Sequence, residues 1–492
     1  MNRPANPLSL LKDPTLFKTQ AYIDGQWIDS ARRFAVTDPA TNAELAQVPA
    51  LEPMHAQLAI DAADAAWPAW RALPAKQRAA ILRKWFDLLV ANADDLARLM
   101  TAEQGKPLAE AQGEIRYAAS FIKWFAEEGR RTGARNVVSP ERDRRVIVLT
   151  EPVGVSAAIT PWNFPAAMIT RKCAPALAVG CPVVIKPSEM TPFTALALGE
   201  LALRAGFPEG VINIVTGLPT AIGAAITASP LVRKLSFTGS TRVGSLLLEQ
   251  CAKTVKRTSM ELGGNAPLIV FADADLDLAV KAAMASKFRN AGQTCVCANR
   301  MLVADEIYDA FAEKLAAAVA GLNAAPGMEP GSTVGPLINA AAVQKVSAHL
   351  EDALGKGGRI IGEGKGRSDD RFVRPVIIGD ANPEMRLASE ETFGPLAPLF
   401  RFTSERQAIE MANDTPYGLA AYFYTRDLSR SFRVAEALEA GMIALNTGGI
   451  AMEMAPFGGV KQSGLGREGG QQGIEEYLET KAFHIGGLEL GA

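Results

Sequence analysis

The sequence predicts an α/β protein made of two units, each with a parallel sheet wound by crossover helices. Short apolar strands alternate with Ala-rich helices from Arg144 onward, and a second alternating region begins at PLIVF, residues 267–271. Parallel strands need helical crossovers, so this alternation is typical of a parallel sheet. The chain has 492 residues, enough for about two or three domains of ordinary size. A peptide or a minimal binding module is therefore excluded.

Helix is expected to dominate the first 130 residues. Apolar side chains recur there three and four positions apart, over residues 76–99 and 108–128, which is the period of an amphipathic helix. From residue 144 onward, short segments rich in Val and Ile predict strands, and the Ala-rich segments between them predict helices. In order, the strands are VIVL, VGVSAAIT, PVVIK, VINIV and KLSF, and the helices follow Pro165, follow Pro192 and cover STRVGSLLLEQCA.

The second unit is expected to begin near residue 263, because the two alternating regions meet near residue 262. After PLIVF, helices are predicted over residues 276–288 and 306–320, followed by the Gly-rich stretch GKGGRIIGEGKG. The sequence contains no convincing internal repeat, and no Gly/Ser linker separates the units. We therefore expect the units to pack firmly with a cleft between them. Such a cleft is a common place for a cofactor.

Charge and hydropathy exclude several kinds of partner. The chain has 51 basic and 53 acidic residues, and its net charge of −2 provides no field to attract nucleic acid or an anionic membrane. Residues 152–170 are uncharged, but Pro152, Pro161 and Pro165 interrupt them. A strand, a turn and the start of a helix are therefore expected there instead of a membrane span. The N-terminal segment has no apolar core of the kind that marks a signal peptide.

Cysteine is the natural candidate for a nucleophile. Five cysteines are too few for a disulfide framework, which favours a reducing cytoplasm, and three scattered histidines favour neither a histidine triad nor a zinc site. The pair Cys295 and Cys297 lacks the second pair that a closed zinc site needs, so no metal is expected. Cys295 lies in the polar segment RNAGQTCVCANR. A thiol becomes a good nucleophile beside a helix end, a cation or a base, and a buried structural cysteine is the alternative.

Two glycine-containing segments are candidates for binding a phosphate. GLGREG, residues 464–469, has the spacing G-x-G-x-x-G but follows a loop instead of a strand, so we reject it as a dinucleotide fingerprint. The turn LSFTGSTRVG is the better candidate, because Gly239 permits close backbone approach and Ser240 can cap a helix whose amides face an anion. A plain helix cap is the alternative.

Seven ordered motifs resemble those of the aldehyde dehydrogenase superfamily. They are TPWNFP, KPSE, FTGS, MELGGNAP, GQTC, EETFGP and PFGGVKQSGLGRE. The segments FRNAGQTCVCANR, MITRK and NDTPYGLAAYFYTRDLSR are most similar to the succinate-semialdehyde dehydrogenase branch. The resemblance implies a Rossmann-like cofactor domain, a catalytic α/β domain and a small β oligomerisation element.

The resemblance also implies domain boundaries and assembly. The NAD(P)-binding domain would comprise residues 1–137 and 152–262, the catalytic domain residues 263–475, and the oligomerisation element residues 138–151 and 476–492. Through this element the chain would form a homo-oligomer, a tetramer or a dimer.

By the same resemblance, Cys295 attacks the aldehyde carbonyl to give a thiohemiacetal, and hydride transfer to the nicotinamide leaves a thioester. Asn163 and the backbone amide of Cys295 stabilise the oxyanion, and Glu261 activates the water that releases the free acid. A cofactor-free thiol hydrolase would use Cys295 and Glu261 without a nicotinamide, and it is the alternative from another class. A non-catalytic protein with the same fold is the third possibility.

The cofactor implied by the resemblance is NAD, with NADP as an alternative. Glu189 favours NAD, because a carboxylate accepts hydrogen bonds from a ribose 2′-hydroxyl and repels a 2′-phosphate. The residues implied to bind the cofactor are Thr160, Trp162, Lys186, Ser188, Glu189, Gly239, Ser240, Leu262, Glu391 and Phe393.

The substrate implied is an anionic aldehyde whose far carboxylate binds Arg171 and Arg289. Ala451 departs from the branch, in which a Ser also contacts that carboxylate. The lost hydroxyl leaves space, so 3-sulfolactaldehyde and glutarate semialdehyde are alternatives to succinate semialdehyde. Some members of the branch form a disulfide between the two cysteines of this segment, which would make Cys297 a redox partner of Cys295.

Overall fold

Residues 7–488 are described by the structure, which is a computed structural model. Residues 1–6 and 489–492, the outer ends of two predicted segments, lie outside the described residues. The α-helices are α1 (Pro53–Ala72), α2 (Ala75–Ala91), α3 (Ala93–Gln104), α4 (Leu108–Glu128), α5 (Ala167–Val179), α6 (Pro192–Ala205), α7 (Pro219–Ala228), α8 (Thr241–Ala252), α9 (Leu276–Lys287), α10 (Tyr308–Val319), α11 (Ala340–Gly355), α12 (Arg386–Ser389), α13 (Glu405–Asn413), α14 (Leu428–Ala437) and α15 (Gln472–Glu475).

The first large sheet has eight strands. Their spatial order is β2 (Gln26–Ile28), β1 (Ala21–Ile23), β9 (Ile212–Ile214), β8 (Val183–Lys186), β7 (Val155–Ile159), β10 (Val232–Thr238), β11 (Arg257–Glu261) and β23 (Gly464–Leu465). The strands from β9 to β11 are parallel. Counted along the chain from β7, they lie in the order third, second, first, fourth, fifth, which is the order of a Rossmann sheet. The predicted Rossmann-like unit is therefore confirmed.

The order of this sheet reverses between β7 and β10. In open α/β sheets, ligands bind in the crevice outside the carboxyl ends of the strands at this point of reversal. Both faces of the sheet are covered, one by α1 and α7 and the other by α5 and α6, with α2 and α4 packed outside them. Buried aromatic side chains, among them Trp85, Phe121 and Phe193, fill the helical layer. The parallel strands therefore have the two-sided burial that they require.

The second large sheet has seven strands. Their order is β15 (Arg359–Glu363), β17 (Val376–Gly379), β18 (Leu396–Phe402), β13 (Ala298–Ala304), β12 (Ala266–Val270), β20 (Ala420–Tyr424) and β21 (Met442–Leu445). Only the edge strand β15 pairs antiparallel with its neighbour in this sheet. The prediction of a second parallel α/β unit is confirmed.

The remaining strands form small antiparallel or two-stranded sheets. One has three strands, β24 (Leu478–Ile485), β6 (Arg145–Pro152) and β5 (Arg135–Val137). The two-stranded sheets pair β3 (Arg33–Thr37) with β4 (Glu44–Pro49), β14 (Asn323–Ala324) with β16 (Lys365–Gly366), and β19 (Tyr417–Gly418) with β22 (Val460–Lys461).

One expectation for the N-terminal part needs correction. The predicted helix over residues 76–99 is interrupted at Asn92, whose side chain donates to the carbonyl of Leu88 at 2.8 Å and ends α2. Helix dominates the first 130 residues, as predicted, through α1 to α4, and β1 and β2 form a hairpin around Asp24 and Gly25, which have φ of 50° and 75°. The Asp-Gly pair is the usual sequence of such a two-residue turn.

The uncharged segment at residues 152–170 forms β7, a turn and the start of α5, as predicted. Among residues 7–488, no helix is both long enough and apolar enough to cross a bilayer.

The segment GLGREG begins in β23, which pairs antiparallel with β11. Gly464 permits this pairing, because a Cβ at that position would lie 1.8 Å from the carbonyl oxygen of Met260.

Candidate active site

A cavity of about 300 Å³ lies where both large units meet, at the carboxyl ends of β7 and β10. Many of the residues predicted for the site line it, namely Trp162, Asn163, Arg171, Gly239, Ser240, Leu262, Arg289, Cys295, Glu391, Phe393 and Ala451. The other predicted residues do not line it, namely Thr160, Lys186, Ser188, Glu189, Glu261 and Cys297. The cavity therefore joins the predicted cofactor side, the nucleophile and the two arginines.

Cys295 reaches the cavity through a sharply turned loop between α9 and β13. The three residues Asn290, Ala291 and Gly292 have φ of 52°, 55° and 75°, and the first two are costly conformations for residues with a Cβ. After them, the amide of Cys297 donates to the carbonyl of Thr294 at 3.0 Å, so Cys295 lies inside a β-turn. The strained backbone and the turn bring the thiol to the cavity wall.

The Cys295 thiol is only partly exposed, and burial raises its pKa to about 12, although Arg171 opposes this shift. At neutral pH the group is therefore a thiol, and a base must remove its proton before it attacks a carbonyl. Among the described residues, nothing accepts a hydrogen bond from the backbone amide of Cys295. That amide is a donor free for an oxyanion.

Asn163 lies in the turn between β7 and α5. Its Nδ2 donates to the carbonyl of Gln293 at 2.9 Å, two residues before the candidate nucleophile. An amide nitrogen has two hydrogens, so one donor position is left after this bond. The bond also ties the turn that follows β7 to the Cys295 loop.

Glu261 is the last residue of β11 and is 1% exposed. Neither carboxylate oxygen has a hydrogen-bond partner among the described residues. Burial and the nearby charge of Glu468 raise the pKa of Glu261 well above its ordinary value. A buried carboxyl group with a raised pKa and no partner has the properties of a general base.

Glu468 is a buried residue to which the sequence analysis assigned no role. Its carboxylate accepts hydrogen bonds from Arg171 Nε at 2.6 Å and from Ser236 Oγ at 3.0 Å, and it pairs with Lys172 Nζ. Burial alone would raise the pKa of Glu468, but Lys172 and Arg171 lower it to about 2. It is the only acidic residue of the motif GLGRE, and that charge was the signal available in the sequence.

The two predicted substrate arginines differ in what holds them. Arg171 is 1% exposed, pairs with Glu468 and stacks over the ring of Phe457 at 3.9 Å. Arg289 is exposed, its guanidinium lies 5.2 Å from the ring centroid of Phe164, and its side chain makes no ion pair or hydrogen bond with any residue between 7 and 488. The guanidinium that is free to bind an anion is therefore that of Arg289, and Arg171 contributes its remaining donors.

Two further residues of the cavity were missed by sequence reasoning. Tyr117, on α4, lines it with a buried hydroxyl that has no hydrogen-bond partner in the described part of the chain. Lys345, on α11, lines it and donates to the carbonyl of Glu391 at 2.6 Å. Neither lies in a motif, so only the fold brings them to the site.

Several of the predicted cofactor residues lie at the carboxyl ends of β7, β8 and β10, on the edge of the sheet where the strand order reverses. Ser240 caps α8 by accepting from the amide of Val243 at 3.4 Å, and Lys186, at the end of β8, pairs with Glu189 at 3.2 Å. The buried hydroxyl of Thr160 has no partner among the described residues. A helix N-terminus suits a pyrophosphate, and a lysine–carboxylate pair suits ribose hydroxyls. These residues fit a dinucleotide.

The opposite wall of the cavity contains Glu391 and two aromatic rings. Glu391 Oε1 accepts from the amide of Gly264 at 3.0 Å, and burial raises the pKa of Glu391 to about 7. The rings of Trp162 and Phe393 meet edge to face, with centroids 5.7 Å apart. A carboxylate beside flat apolar walls suits the sugar and ring of a nicotinamide nucleoside.

Comparison with known proteins agrees with this geometry. Residues 27–483 match the aldehyde dehydrogenase family. The chain is 60% identical to succinate-semialdehyde dehydrogenase [NADP(+)] of Escherichia coli (strain K12), over 97% of this chain and 99% of that protein. It is 59% identical to glutarate-semialdehyde dehydrogenase of Pseudomonas putida (strain KT2440), over 96% and 99% of the two chains. It is 58% identical to 3-sulfolactaldehyde dehydrogenase of Pseudomonas putida, over 97% and 99%.

A solved structure shows the same agreement in three dimensions. Succinate-semialdehyde dehydrogenase from Burkholderia pseudomallei superposes with a TM-score of 0.96 at 58% identity, covering 97% of this chain and 100% of that one. The family match covers the whole second sheet, the parallel strands of the first sheet and every residue that lines the cavity. The chain belongs to the aldehyde dehydrogenase family.

Proposed function

We propose that this protein oxidises an anionic semialdehyde, succinate semialdehyde or a close analogue, to the free carboxylic acid with NAD(P). The observation that carries the proposal is the guanidinium of Arg289, which pairs with no residue in the described part of the chain and lies in the same cavity as the Cys295 thiol. A planar guanidinium with free donors recognises a carboxylate or a sulfonate. The relatives reported above are named for aldehydes that carry such a group.

In the proposed reaction, Cys295 loses its proton to a base and its sulfur bonds to the aldehyde carbon. The remaining hydrogen of the Asn163 amide and the backbone amide of Cys295 stabilise the oxyanion that forms. When bound, the nicotinamide supplies the hydride acceptor that turns the thiohemiacetal into a thioester. Glu261 then takes a proton from water, which attacks the thioester and releases the acid and the thiol. The unpartnered carboxylate of Glu261 supports this role.

The cofactor is proposed to bind along Thr160, Lys186, Ser188 and Glu189 on one side and Glu391 on the other. Glu189 is 36% exposed in its side chain, which pairs with Lys186. Its carboxylate favours NAD, while the Escherichia coli relative is named for NADP. Initial rates with each nucleotide decide between them.

Ala451 bears on which anionic aldehyde fits best. It lines the cavity and adds no hydrogen-bond donor there, in contrast to the Ser expected for the succinate branch. A larger or more acceptor-rich head group therefore has room, and 3-sulfolactaldehyde and glutarate semialdehyde are the two alternatives. All three aldehydes place an anion at a distance from the carbonyl, so all three would use Arg289.

The test measures NADH or NADPH formation with the three anionic aldehydes and with a neutral aldehyde of similar length. We expect Arg289→Gln to raise KM for the anionic substrates about tenfold to a hundredfold, because a charged hydrogen bond is lost. KM for the neutral aldehyde should change little. Arg406→Gln, an exposed arginine on α13, is the control. Equal losses for charged and neutral aldehydes would contradict the anion site. Turnover of esters without any nucleotide would favour the cofactor-free thiol hydrolase.

We further propose that the protein acts in the reducing cytoplasm as a homo-oligomer. All five cysteines are free thiols, four of them buried, which suits a reducing compartment. The three-stranded sheet of β5, β6 and β24 supports assembly, because β5 and most of β24 are exposed. No nucleic acid or membrane partner is proposed.

A further inference from the structure

We propose that Lys106 is a positioning residue of this active site, and that the side chains Gln104, Lys106, Glu110 and Glu114 form a clamp that holds Asn163 against the Cys295 loop. None of the four lines the cavity. The inference rests on the reaction proposed at Cys295, but it does not depend on which aldehyde is the substrate. We call these four side chains the 104–114 clamp.

The centre of the clamp is a buried ion pair beneath Asn163. Lys106 Nζ donates to the backbone carbonyl of Asn163 at 2.8 Å and to Glu114 Oε2 at 2.5 Å. Both charged side chains are 1% exposed, and the ammonium lies 4.1 Å from the ring centroid of Phe164. Lys106 therefore contacts both Asn163, which carries the proposed oxyanion donor, and the ring of Phe164, the next residue.

Glu114 also contacts the start of α5. Its other carboxylate oxygen, Oε1, accepts from the backbone amides of Ala166 at 3.0 Å and Ala167 at 3.3 Å. The first amides of a helix have no partner within the helix, and a carboxylate is well suited to them. Lys106 and Glu114 together thus fix both ends of the turn at residues 163–167.

The clamp also holds the strained turn that leads to Cys295. Asn290 Nδ2 donates to the same carbonyl of Asn163 at 3.0 Å. The backbone amide of Asn290 donates to Glu110 Oε2 at 2.8 Å. Gln104 Nε2 donates to Asn290 Oδ1 at 2.9 Å, while Gln104 Oε1 accepts from the amide of Lys106 at 3.0 Å. The segment from the last residue of α3 to the second turn of α4 therefore bonds to both walls of the catalytic centre.

Stability alone does not account for this arrangement. A buried ion pair is often no more stabilising than a well-packed apolar pair, because both charges lose their hydration. An apolar pair, however, could not hold the carbonyl of Asn163 or the amides of Ala166 and Ala167. A shift of about 1 Å in a reacting group can cost about a hundredfold in rate. The clamp is placed to prevent such a shift in Asn163.

The test is a double-mutant cycle between Lys106→Met and Asn163→Ala in the full-length protein. We expect Lys106→Met to lower kcat about tenfold to a hundredfold while KM and the dissociation constant of NAD change less than about threefold. In the Asn163→Ala background the same change should lower kcat less than about twofold, because the group that Lys106 positions is absent. Equal factors in both backgrounds, or an unchanged kcat, would overturn the proposal.

Lys234→Met is the matched control, since Lys234 is also buried in an ion pair, with Glu476 at 2.7 Å, and donates to Ser259 and Glu476 instead of to Asn163. It should lower the melting temperature without lowering kcat. If Lys106→Met does not fold, Gln104→Leu replaces it, because it cuts the bond to Asn290 without stranding a charge, and the same non-additive loss is expected. The cycle can be run with any aldehyde that the wild-type protein oxidises. A wild type active only on neutral aldehydes thus refutes the proposed substrate and leaves the clamp measurable.

Discussion

At the scale of single residues, the surroundings of two buried glutamates shift their pKa values in opposite directions. Burial without a partner raises the pKa of Glu261, whereas two buried cations lower that of Glu468 to about 2. Environments that push pKa values apart mark the acid and base of a reaction. Glu261 is therefore suited to exchange protons, and Glu468 to remain a permanent anion that orients Arg171 and Lys172.

The raised pKa of Glu261 predicts a pH dependence. The carboxyl group accepts a proton only in its ionised form, so kcat should fall as the pH is lowered through the raised pKa of Glu261, above the ordinary range of a glutamate. Glu261→Gln should lower kcat about 10²- to 10⁴-fold and remove this limb of the profile. Quenched mixtures should then contain a thioester on Cys295, measured by mass spectrometry. Glu476→Gln, a carboxyl that is paired with Lys234 and has no predicted role in the site, is the control, and a matching loss there would contradict the assignment.

Sequence reasoning identifies residues inside motifs better than the partners of those residues. The motifs were sufficient to name Cys295, Glu261 and Asn163. The pairing of Arg171 with Glu468 crosses 297 positions of sequence, so no local pattern could reveal it. The disulfide between Cys297 and Cys295 stays a prediction. The turn at Thr294 shows only that the chain bends near these two cysteines.

At the scale of elements, the loop between α9 and β13 depends on a close contact of two glycines. Gly292 has a φ of 75°, and a Cβ on it would lie 2.3 Å from the carbonyl oxygen of Gly394, in the segment that follows Glu391. Only glycine combines this backbone conformation with this approach. The loop that carries Cys295 and the segment that carries Glu391 are therefore held at a fixed separation.

Gly292→Ala should separate these two segments. We expect a loss of about 1–3 kcal/mol in the free energy of unfolding, measured by denaturant titration, and a kcat that falls more than KM rises. Gly331→Ala is the matched control, because Gly331 has a φ of 81° but nothing within 4 Å of a Cβ. It reproduces the backbone strain without the contact. Equal changes in kcat for both variants would show that the contact with Gly394 does not matter.

Elements are predictable from sequence where their pattern is long. The helix expected at residues 108–128 is the observed α4, since its apolar residues keep a helical period over its whole length. Strands β1 and β2 have three residues each, too few to show a period of two, and only the Asp-Gly turn marked them. The left-handed turn before Cys295 had no signal beyond Gly292, because Asn290 is held there by the distant side chains of Gln104 and Glu110.

At the scale of the whole molecule, alternation of strands and helices predicted two parallel sheets, but it could not predict their strand order. That order places β7 beside β10 and so creates the crevice in which we propose that the cofactor binds. The alternation also could not show that β24 leaves the second unit to pair with β6. Such long-range pairings are decided by which surfaces remain uncovered after local folding.

The three-stranded sheet leaves such a surface uncovered in one chain. Val137 is 42% exposed, Val138 95% and Phe483 49%, and β5 and β24 are open edges. An exposed apolar sheet with free edges favours pairing with another chain. We expect light scattering to give a mass of two or four chains of 52.2 kDa for the wild type. Phe483→Glu should lower that mass, because it buries a charge in the interface, whereas Phe432→Glu, on exposed α14, should not. A monomeric wild type, or an unchanged mass for Phe483→Glu, would refute assembly through this sheet.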